Sequence, residues 1–214
     1  LCLNINELRD IETCLNKNQI LMVGYNRRFA PLVDVLKNQI NKIEGPKALI
    51  YTCNAGYIPK DHWTQKPQIG GGRLIGEACH FLDLICYLVE DTIIDIHITN
   101  CKDIKSCPDT FSLQMCFKNG SIATINYFSN GHKSFPKERL EVFGDQKVLQ
   151  LDNFRKLKGW GLKNFKNQTS FYQDKGQKSC VESFLKAIQY VGEDPIERNQ
   201  IFEVQRWLLE AIKL

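Results

Sequence analysis

The chain has 214 residues, of which 43% are hydrophobic and 24% charged, and its formal net charge is +4. This composition is typical of a globular protein of about one to one and a half domains and excludes disorder. No signal peptide is visible at the start of the sequence and no run of about 18 apolar residues occurs, so we expect no membrane contact. The weak, mixed charge gives no reason to expect nucleic acid as a partner.

Two further features concern the context of the chain. Position 1 is Leu, and the only methionines are Met22 and Met115, which predicts a piece of a longer protein, with a processed terminus as the alternative. The nine cysteines include no C-x-x-C pair. Their positions inside apolar runs predict buried free thiols in a reducing cytoplasm rather than a zinc site.

The first quarter of the chain alternates helix and strand. Helical spacing predicts a helix over 5–17, and the apolar run at 19–25 predicts a buried strand of a parallel sheet. A second helix is predicted over 29–43, with Pro31 in its first turn. A strand over 47–53 follows. A helix followed by a strand is the repeating unit of a doubly wound fold, and only the last such unit is predicted here.

The rest of the chain is dominated by strands. A loop at 54–69 leads through Gly70-Gly71-Gly72 into a predicted helix, and a Lys-Asn-Gly turn at 118–120 indicates a hairpin. We predict, in chain order, a helix over 73–89, strands near 93–99, 110–117, 121–128, 138–143, 147–152 and 155–160, and helices near 178–191 and 198–213.

This order predicts an α+β fold, in which an open, mostly antiparallel β-sheet has helices packed on one face. The other face must then be solvated or covered. Neither face of the strand at 121–128 is strongly charged, which favours a covered face and hence a homo-oligomer that forms through the open sheet.

The densest group of candidate site residues follows the three glycines. His80 and Asp83 are neighbours on a helix surface, and a carboxylate beside a histidine supports proton transfer. The alternative is a half-buried histidine that Asp83 merely caps. A metal site that includes Glu77 is disfavoured because steps of three residues point Glu77 and Asp83 about 120° apart.

Two other segments carry candidate binding residues. Tyr25-Asn26-Arg27-Arg28 follows the predicted strand, where ligands gather in open α/β sheets, and its arginines suit an anionic or polyhydroxyl ligand. His62 and Trp63 suit a sugar face or a packing corner. The basic loop at 130–139 is either a solvated connection or a further contact.

Together these segments resemble the Gfo/Idh/MocA family of oxidoreductases. The resemblance rests on 23–31 (Val-Gly-Tyr-Asn-Arg-Arg-Phe-Ala-Pro) and on Gly70-Gly71-Gly72 leading into 79–83 (Cys-His-Phe-Leu-Asp). It is reinforced by 137–144 (Lys-Glu-Arg-Leu-Glu-Val-Phe-Gly) and 173–176 (Gln-Asp-Lys-Gly), and it covers essentially the whole chain in the expected order.

Members of this family pair an N-terminal Rossmann domain, which binds NAD or NADP, with a C-terminal sheet domain like that of dihydrodipicolinate reductase. The resemblance implies that 1–25 is the end of a Rossmann domain, with its last helix and strand. Residues 26–214 would form the substrate-binding and oligomerisation domain. The dinucleotide would then be bound mainly by a part that precedes Leu1.

The resemblance also implies roles for individual residues. His80 matches the catalytic histidine, Asp83 a position that often touches substrate, and Arg27 with Asn26 the segment that lines the nicotinamide and substrate pocket. Gly71 and Gly72 match the glycines that shape that pocket. His62 is a further candidate substrate contact without a family counterpart, and no metal is implied.

One position departs from the family pattern. Many members have an Asp four residues before the histidine, where this chain has Gly76. Glu77 lies one residue further on, and a one-residue shift turns a helical side chain by about 100°, so Glu77 should not replace that Asp.

The resemblance therefore predicts the C-terminal part of a cytoplasmic NAD(P)-dependent oxidoreductase, inactive when alone. Hydride would move to or from a CH–OH group of a sugar, polyol or sugar nucleotide. The alternative is a non-catalytic carbohydrate-binding or dimerisation module whose parent has lost this chemistry, an alternative that Gly76 favours.

Overall fold

A computed structural model describes residues 1–16, 18–59, 61–66, 68–101, 109–190 and 193–213. Within these ranges eight strands form one open sheet in the order β2-β3-β4-β1-β5-β6-β7-β8. The strands are β1 (Ala48–Asn54), β2 (Ile93–Asn100), β3 (Phe111–Phe117), β4 (Ile122–Phe128), β5 (Glu138–Gly144), β6 (Lys147–Asp152), β7 (Lys156–Trp160) and β8 (Gln168–Thr169). β1 runs parallel to β4, and the other neighbouring pairs are antiparallel.

The helices begin where local chemistry favours a helix start. The Asn4 side chain accepts hydrogen bonds from the backbone N–H groups of Asn6 and Glu7 at the first helix, and Pro31 opens the second. The α-helices are α1 (Ile5–Cys14), α2 (Pro31–Ile40), α3 (Cys79–Val89), α4 (Gln177–Gln189) and α5 (Arg198–Lys213). A 3₁₀ turn at Asn26–Phe29 precedes α2, and a π-helical turn at Leu74–Ala78 precedes α3.

The core lies between one face of the sheet and the helices. α2, α3 and α5 all contact strands of the sheet. The register places a buried side chain from each of six strands in one cross-strand row: Leu113, Ile125, Tyr51, Leu140, Leu151 and Leu157. The alternation predicted for the strands therefore has its apolar side under the helices, which confirms the α+β fold with helices on one face.

The opposite face of the sheet carries no helix of the described chain and is mixed in character. One row across it is apolar and consists of Cys116, Ile122, Ala48, Phe143, Val148 and Trp160. The next row is polar apart from Ile50 and consists of Gln114, Thr124, Ile50, Glu141, Gln150 and Lys158.

The structure differs from the sequence expectations in the first part of the chain and near α3. The strand predicted at 19–25 is wrong, because residues 20–25 form no regular structure and no described strand lies beside them to pair with. The helix predicted to begin at 29 begins at Pro31 after the 3₁₀ turn. The helix predicted over 73–89 is π-helical until Ala78, and the short strand β8 was not predicted.

The described cysteines are all free, and Cys2, Cys53, Cys79 and Cys180 are buried. Cys14, Cys101 and Cys116 are exposed, and Cys107 lies outside the described residues. The prediction that the cysteines are buried free thiols is therefore right for only some of the described cysteines. Among the helices of the described ranges, none is long and apolar enough to cross a membrane.

Candidate active site

His80 lies in the first turn of α3, directly after the π-helical turn, a distortion that is frequent at functional sites. The ring is half-buried and meets the Tyr25 ring edge-on, with 5.9 Å between centroids. Its Nδ1 is enclosed and has no hydrogen-bond partner among the described residues. Nε2 is therefore the nitrogen that a ligand can reach.

The charge state of His80 follows from its surroundings. Burial, followed by the positive charge of Arg27, lowers the pKa of the imidazole to about 4, while Glu138 opposes the change. The ring is therefore neutral at neutral pH, where it can accept a proton.

Arg27 and Lys175 share the buried carboxylate of Glu138. Arg27 donates to both carboxylate oxygens, from Nε to Oε2 at 2.8 Å and from Nη2 to Oε1 at 3.2 Å. Lys175 Nζ donates to Oε1 at 2.5 Å, and the Tyr51 hydroxyl donates to Oε2. Burial alone would raise the pKa of Glu138, but Arg27 and Lys175 together lower it to about 2. We call these four residues the Glu138 cluster.

The Glu138 cluster adjoins α3 through an aromatic stack. The Arg27 guanidinium lies 4.7 Å from the centroid of the Phe81 ring, and Phe81 stacks on Tyr51 at 4.8 Å. Phe81 follows His80 in the chain, and both Arg27 and Glu138 act electrostatically on His80. The cluster therefore fixes the charge beside the candidate catalytic residue.

The loop at 173–176 packs on the 3₁₀ turn that carries Arg27. The Asn26 side chain donates to the backbone carbonyl of Lys175 at 2.7 Å. Gly176 has φ +81°, and a Cβ there would lie 2.4 Å from the Asn26 carbonyl oxygen and 2.5 Å from the Ala30 nitrogen. Only glycine allows this approach, which brings Lys175 to Glu138.

Replacing Gly176 by alanine is expected to move the 173–176 loop and to lower the free energy of unfolding by at least about 1 kcal/mol, because both φ and space oppose a Cβ. Thermal unfolding measures the loss. Gly24→Ala is the matched control, since a Cβ at Gly24 meets no atom within 4 Å. Equal stability of the two variants would contradict the close approach.

Asp83 forms a buried ion pair with Arg28. Its carboxylate is fully buried and accepts from Arg28 Nε at 3.0 Å and Nη2 at 2.5 Å, while Arg28 Nη1 donates to Gln200. Burial raises the pKa of Asp83 to about 6, although Arg28 opposes the rise. The His80–Asp83 pair considered from spacing does not form. Asp83 is buried and joins α3 to Arg28, and the substrate contact expected of it stays a prediction.

Glu77 belongs to a separate network. Its Oε2 accepts from the Tyr127 hydroxyl at 2.7 Å, and Arg73 Nε donates to the same hydroxyl at 2.5 Å. Arg73 Nη1 also donates to the Gly56 carbonyl at 2.7 Å. Glu77 is thus engaged with β4 rather than paired with His80. No group of three potential metal ligands occurs among the described residues.

The predicted pocket glycines have the backbone shape expected of such a segment. Gly71 and Gly72 have φ of +68° and +76°, and a Cβ on Gly72 would meet no atom within 4 Å. The backbone at Gly72 therefore borders open space. His62 is exposed, with Nδ1 2.8 Å from the Thr64 hydroxyl, and no described contact joins it to His80. Substrate contacts at Gly71, Gly72 and His62 stay predictions.

The sequence predicts no role for Glu138, Lys175 or Tyr51, although the first two lie in segments that carry the family resemblance. One signal could have revealed Glu138. It stands in the strand register of Leu140 and Val142, on the side under the helices, where an unpaired carboxylate is rarely found. Its partners come from distant segments, so their identity could not be read from spacing.

The chain thus combines an open, mostly antiparallel sheet that has helices on one face with a half-buried histidine at the start of α3. Residues 48–150 match the model of the GFO/IDH/MocA C-terminal domain. Residues 48–150 therefore form a domain of the Gfo/Idh/MocA C-terminal type.

Solved structures share this fold. The UDP-N-acetylglucosamine 3-dehydrogenase of Acidithiobacillus ferrooxidans matches 98% of this chain at 17% identity, with a TM-score of 0.76. Levoglucosan dehydrogenase in complex with NADH and levoglucosan matches 99% at 18% identity and 0.80. An oxidoreductase domain protein of Kribbella flavida matches 100% at 16% identity and 0.84.

The present chain spans 66%, 69% and 69% of the lengths of these three proteins, in the same order. A comparison with curated protein sequences finds no match.

Proposed function

We propose that this chain is the substrate-holding part of an NAD(P)-dependent oxidoreductase that acts on a CH–OH group, or the matching ketone, of a sugar, polyol or sugar nucleotide. The observation that carries the proposal is the half-buried His80 in the first turn of α3, whose Nδ1 is enclosed, which leaves Nε2 as the nitrogen to face a ligand. The substrates named for the Acidithiobacillus and levoglucosan enzymes, and the NADH of the latter, support the substrate class and the cofactor.

In this proposal His80 accepts and returns the proton of the reacting hydroxyl. As the alcohol is oxidised, its O–H proton passes to Nε2, and in the reverse direction the ring returns it to the carbonyl oxygen. The positive charge of Arg27 would stabilise the negative charge that develops on that oxygen. Because Glu138 fixes Arg27, the charge is in place before the substrate binds.

The described residues do not by themselves fit a whole dinucleotide. Asn26 and Arg27 lie in the 3₁₀ turn before α2, and the nicotinamide contacts expected of them stay predictions. The described sheet is mostly antiparallel, and no described glycine-rich turn joins a parallel strand to a helix in the manner that binds a pyrophosphate. We infer that residues 1–25 end a Rossmann domain and that the dinucleotide phosphates bind outside this chain.

Turnover by the full-length polypeptide that contains this chain tests the function. NADH and NADPH are each followed by absorbance with a panel of keto-sugars, polyols and sugar nucleotides. Turnover with a member of the panel is the expected result. A folded polypeptide that is inactive with the whole panel would favour the non-catalytic carbohydrate-binding or dimerisation module.

The open sheet face supports a homo-oligomer. Its apolar row contains Ile122, Phe143 and Trp160, which are 54%, 39% and 51% exposed. The row crosses six strands without a charged residue. A second copy of the chain, related by a twofold axis, would cover this row with the same row.

Ile122→Lys is expected to shift the protein towards the monomer, because a charge in the middle of the apolar row would be buried without a partner. Sedimentation velocity measures the change. Ile188→Lys is the matched control, since Ile188 on α4 is 52% exposed and lies outside the row. A wild-type protein that stays monomeric at high concentration would contradict the sheet interface.

A further inference from the structure

The Glu138 cluster carries more positive than negative charge. Arg27 and Lys175 are both cationic, whereas Glu138 is the single carboxylate that they contact among the described residues. Each oxygen of Glu138 already accepts two hydrogen bonds, so the carboxylate has no capacity for further donors. The cluster therefore keeps a net charge of about +1.

The positive charge is enclosed and yet reachable. The side chains of Arg27 and Lys175 keep 11% and 14% of their surface exposed, whereas Glu138 keeps 1%. A buried, unbalanced cation is costly unless an anion completes it. Asp174 lies nearby, but it is exposed and its Oδ1 caps the N–H of Gly176, so solvent screens its charge.

The excess charge lies beside the candidate catalytic group. The Arg27 guanidinium lies 4.7 Å from the ring centroid of Phe81, the residue that follows His80. Arg28 and Asp83 balance each other. This closeness allows one molecule to place an anionic group at the Glu138 cluster and a hydroxyl at His80.

We propose that Arg27 and Lys175, held in place by Glu138, bind a carboxylate or phosphate group of the substrate, so that the enzyme acts on an anionic sugar rather than a neutral sugar or polyol. This rests on the proposed function and narrows its substrate class. Arg27 Nε and Nη2 donate to Glu138, which leaves the Nη1 group to donate to such an anion, and the Lys175 ammonium has N–H donors beyond the one that Glu138 accepts.

Binding of three probes to the full-length polypeptide tests the proposal without requiring turnover. The probes are glucose, glucuronate and glucose 1-phosphate, measured by titration calorimetry. We expect at least one anionic probe to bind at least 10-fold more tightly than glucose. The preference should fall about 10-fold in Lys175→Met and persist in Lys175→Arg. Lys178→Met is the control, because Lys178 is 86% exposed on α4 and its loss changes the net charge equally.

Several outcomes would overturn the proposal. They are equal binding of the three probes, no binding of any probe, and an equal loss in Lys175→Met and Lys178→Met. A loss of NADH affinity in Lys175→Met, with the sugar preference unchanged, would assign the cluster to the cofactor phosphates instead. If the anionic preference is found without hydride transfer, the oxidoreductase function fails and the anion site stands.

Discussion

The variant His80→Ala is expected to lose turnover by about 100-fold or more in the full-length polypeptide, because no other described group offers a neutral nitrogen at this point of the site. The loss should fall on kcat rather than on KM, since proton transfer matters most in the transition state. Steady-state kinetics with the best substrate of the panel measures both constants.

His97→Ala is the control for that variant, since His97 is exposed on β2. Its kinetic constants should match those of the wild type. A His80→Ala protein that folds and retains its turnover would remove His80 from the mechanism and favour the non-catalytic module.

The pH dependence gives an independent check on the environment of His80. Burial and Arg27 lower the pKa of the ring to about 4 from the ordinary 6.5. The neutral form therefore persists as pH falls through 6.5, and the acid limb of kcat/KM should lie near pH 4. An acid limb near 6.5 would show that the free enzyme does not hold the imidazole in this low-pKa setting.

The sheet was accessible to sequence reasoning because its period of two is a local property. Ile122, Thr124 and Asn126 alternate with Ala123, Ile125 and Tyr127, and the structure places the second set in the core. The order of strands was not accessible. β1 lies between β4 and β5, which follow it by more than 70 residues, and such pairing depends on long-range packing.

The error at 19–25 has a related cause. An apolar run favours a buried strand only where a neighbouring strand can satisfy its backbone, and the described chain supplies none. The π-helical turn before α3 was equally hidden, because helical periodicity does not separate π from α geometry over five residues. Strand pairing depends on the neighbouring strand, and a π-helical turn depends on the local backbone geometry. The spacing of apolar residues predicts neither.

The candidate site was predictable only in part. The resemblance singled out His80, which the structure places in the first turn of α3, half-buried and edge-on to the Tyr25 ring. It also named Asp83 for the substrate, whereas the structure pairs both of its oxygens with Arg28, 55 residues away. The Glu138 cluster joins residues from the 3₁₀ turn, β1, β5 and the loop before α4. A carboxylate with three such distant partners has no sequence pattern.

Glu138→Gln is expected to lower the free energy of unfolding by about 3 kcal/mol or more, because it leaves Arg27 and Lys175 without their carboxylate in a buried position. For a chain of this size the midpoint of thermal unfolding should fall by about 10 °C. The amide keeps the shape of the side chain, so the loss reports the charge. Thermal and urea unfolding of the two proteins measure it.

Glu141→Gln separates this effect from a general cost of removing a carboxylate from β5. Glu141 lies on the open face of the same strand, is partly exposed and, within the described part of the chain, accepts only from Gln150 at 2.8 Å, so a change below about 1 kcal/mol is expected.

The dependence of the free energy of unfolding on acid pH is a second measure of the contribution of Glu138. Its folded pKa of about 2 lies below the ordinary 4.5, so it stabilises the fold above pH 4.5 and loses that effect as pH falls towards 2. Glu138→Gln should flatten the stability curve in this interval. If the variant keeps the wild-type acid dependence, Glu138 is not the carboxylate that balances Arg27 and Lys175, and the charge beside His80 must be held in some other way.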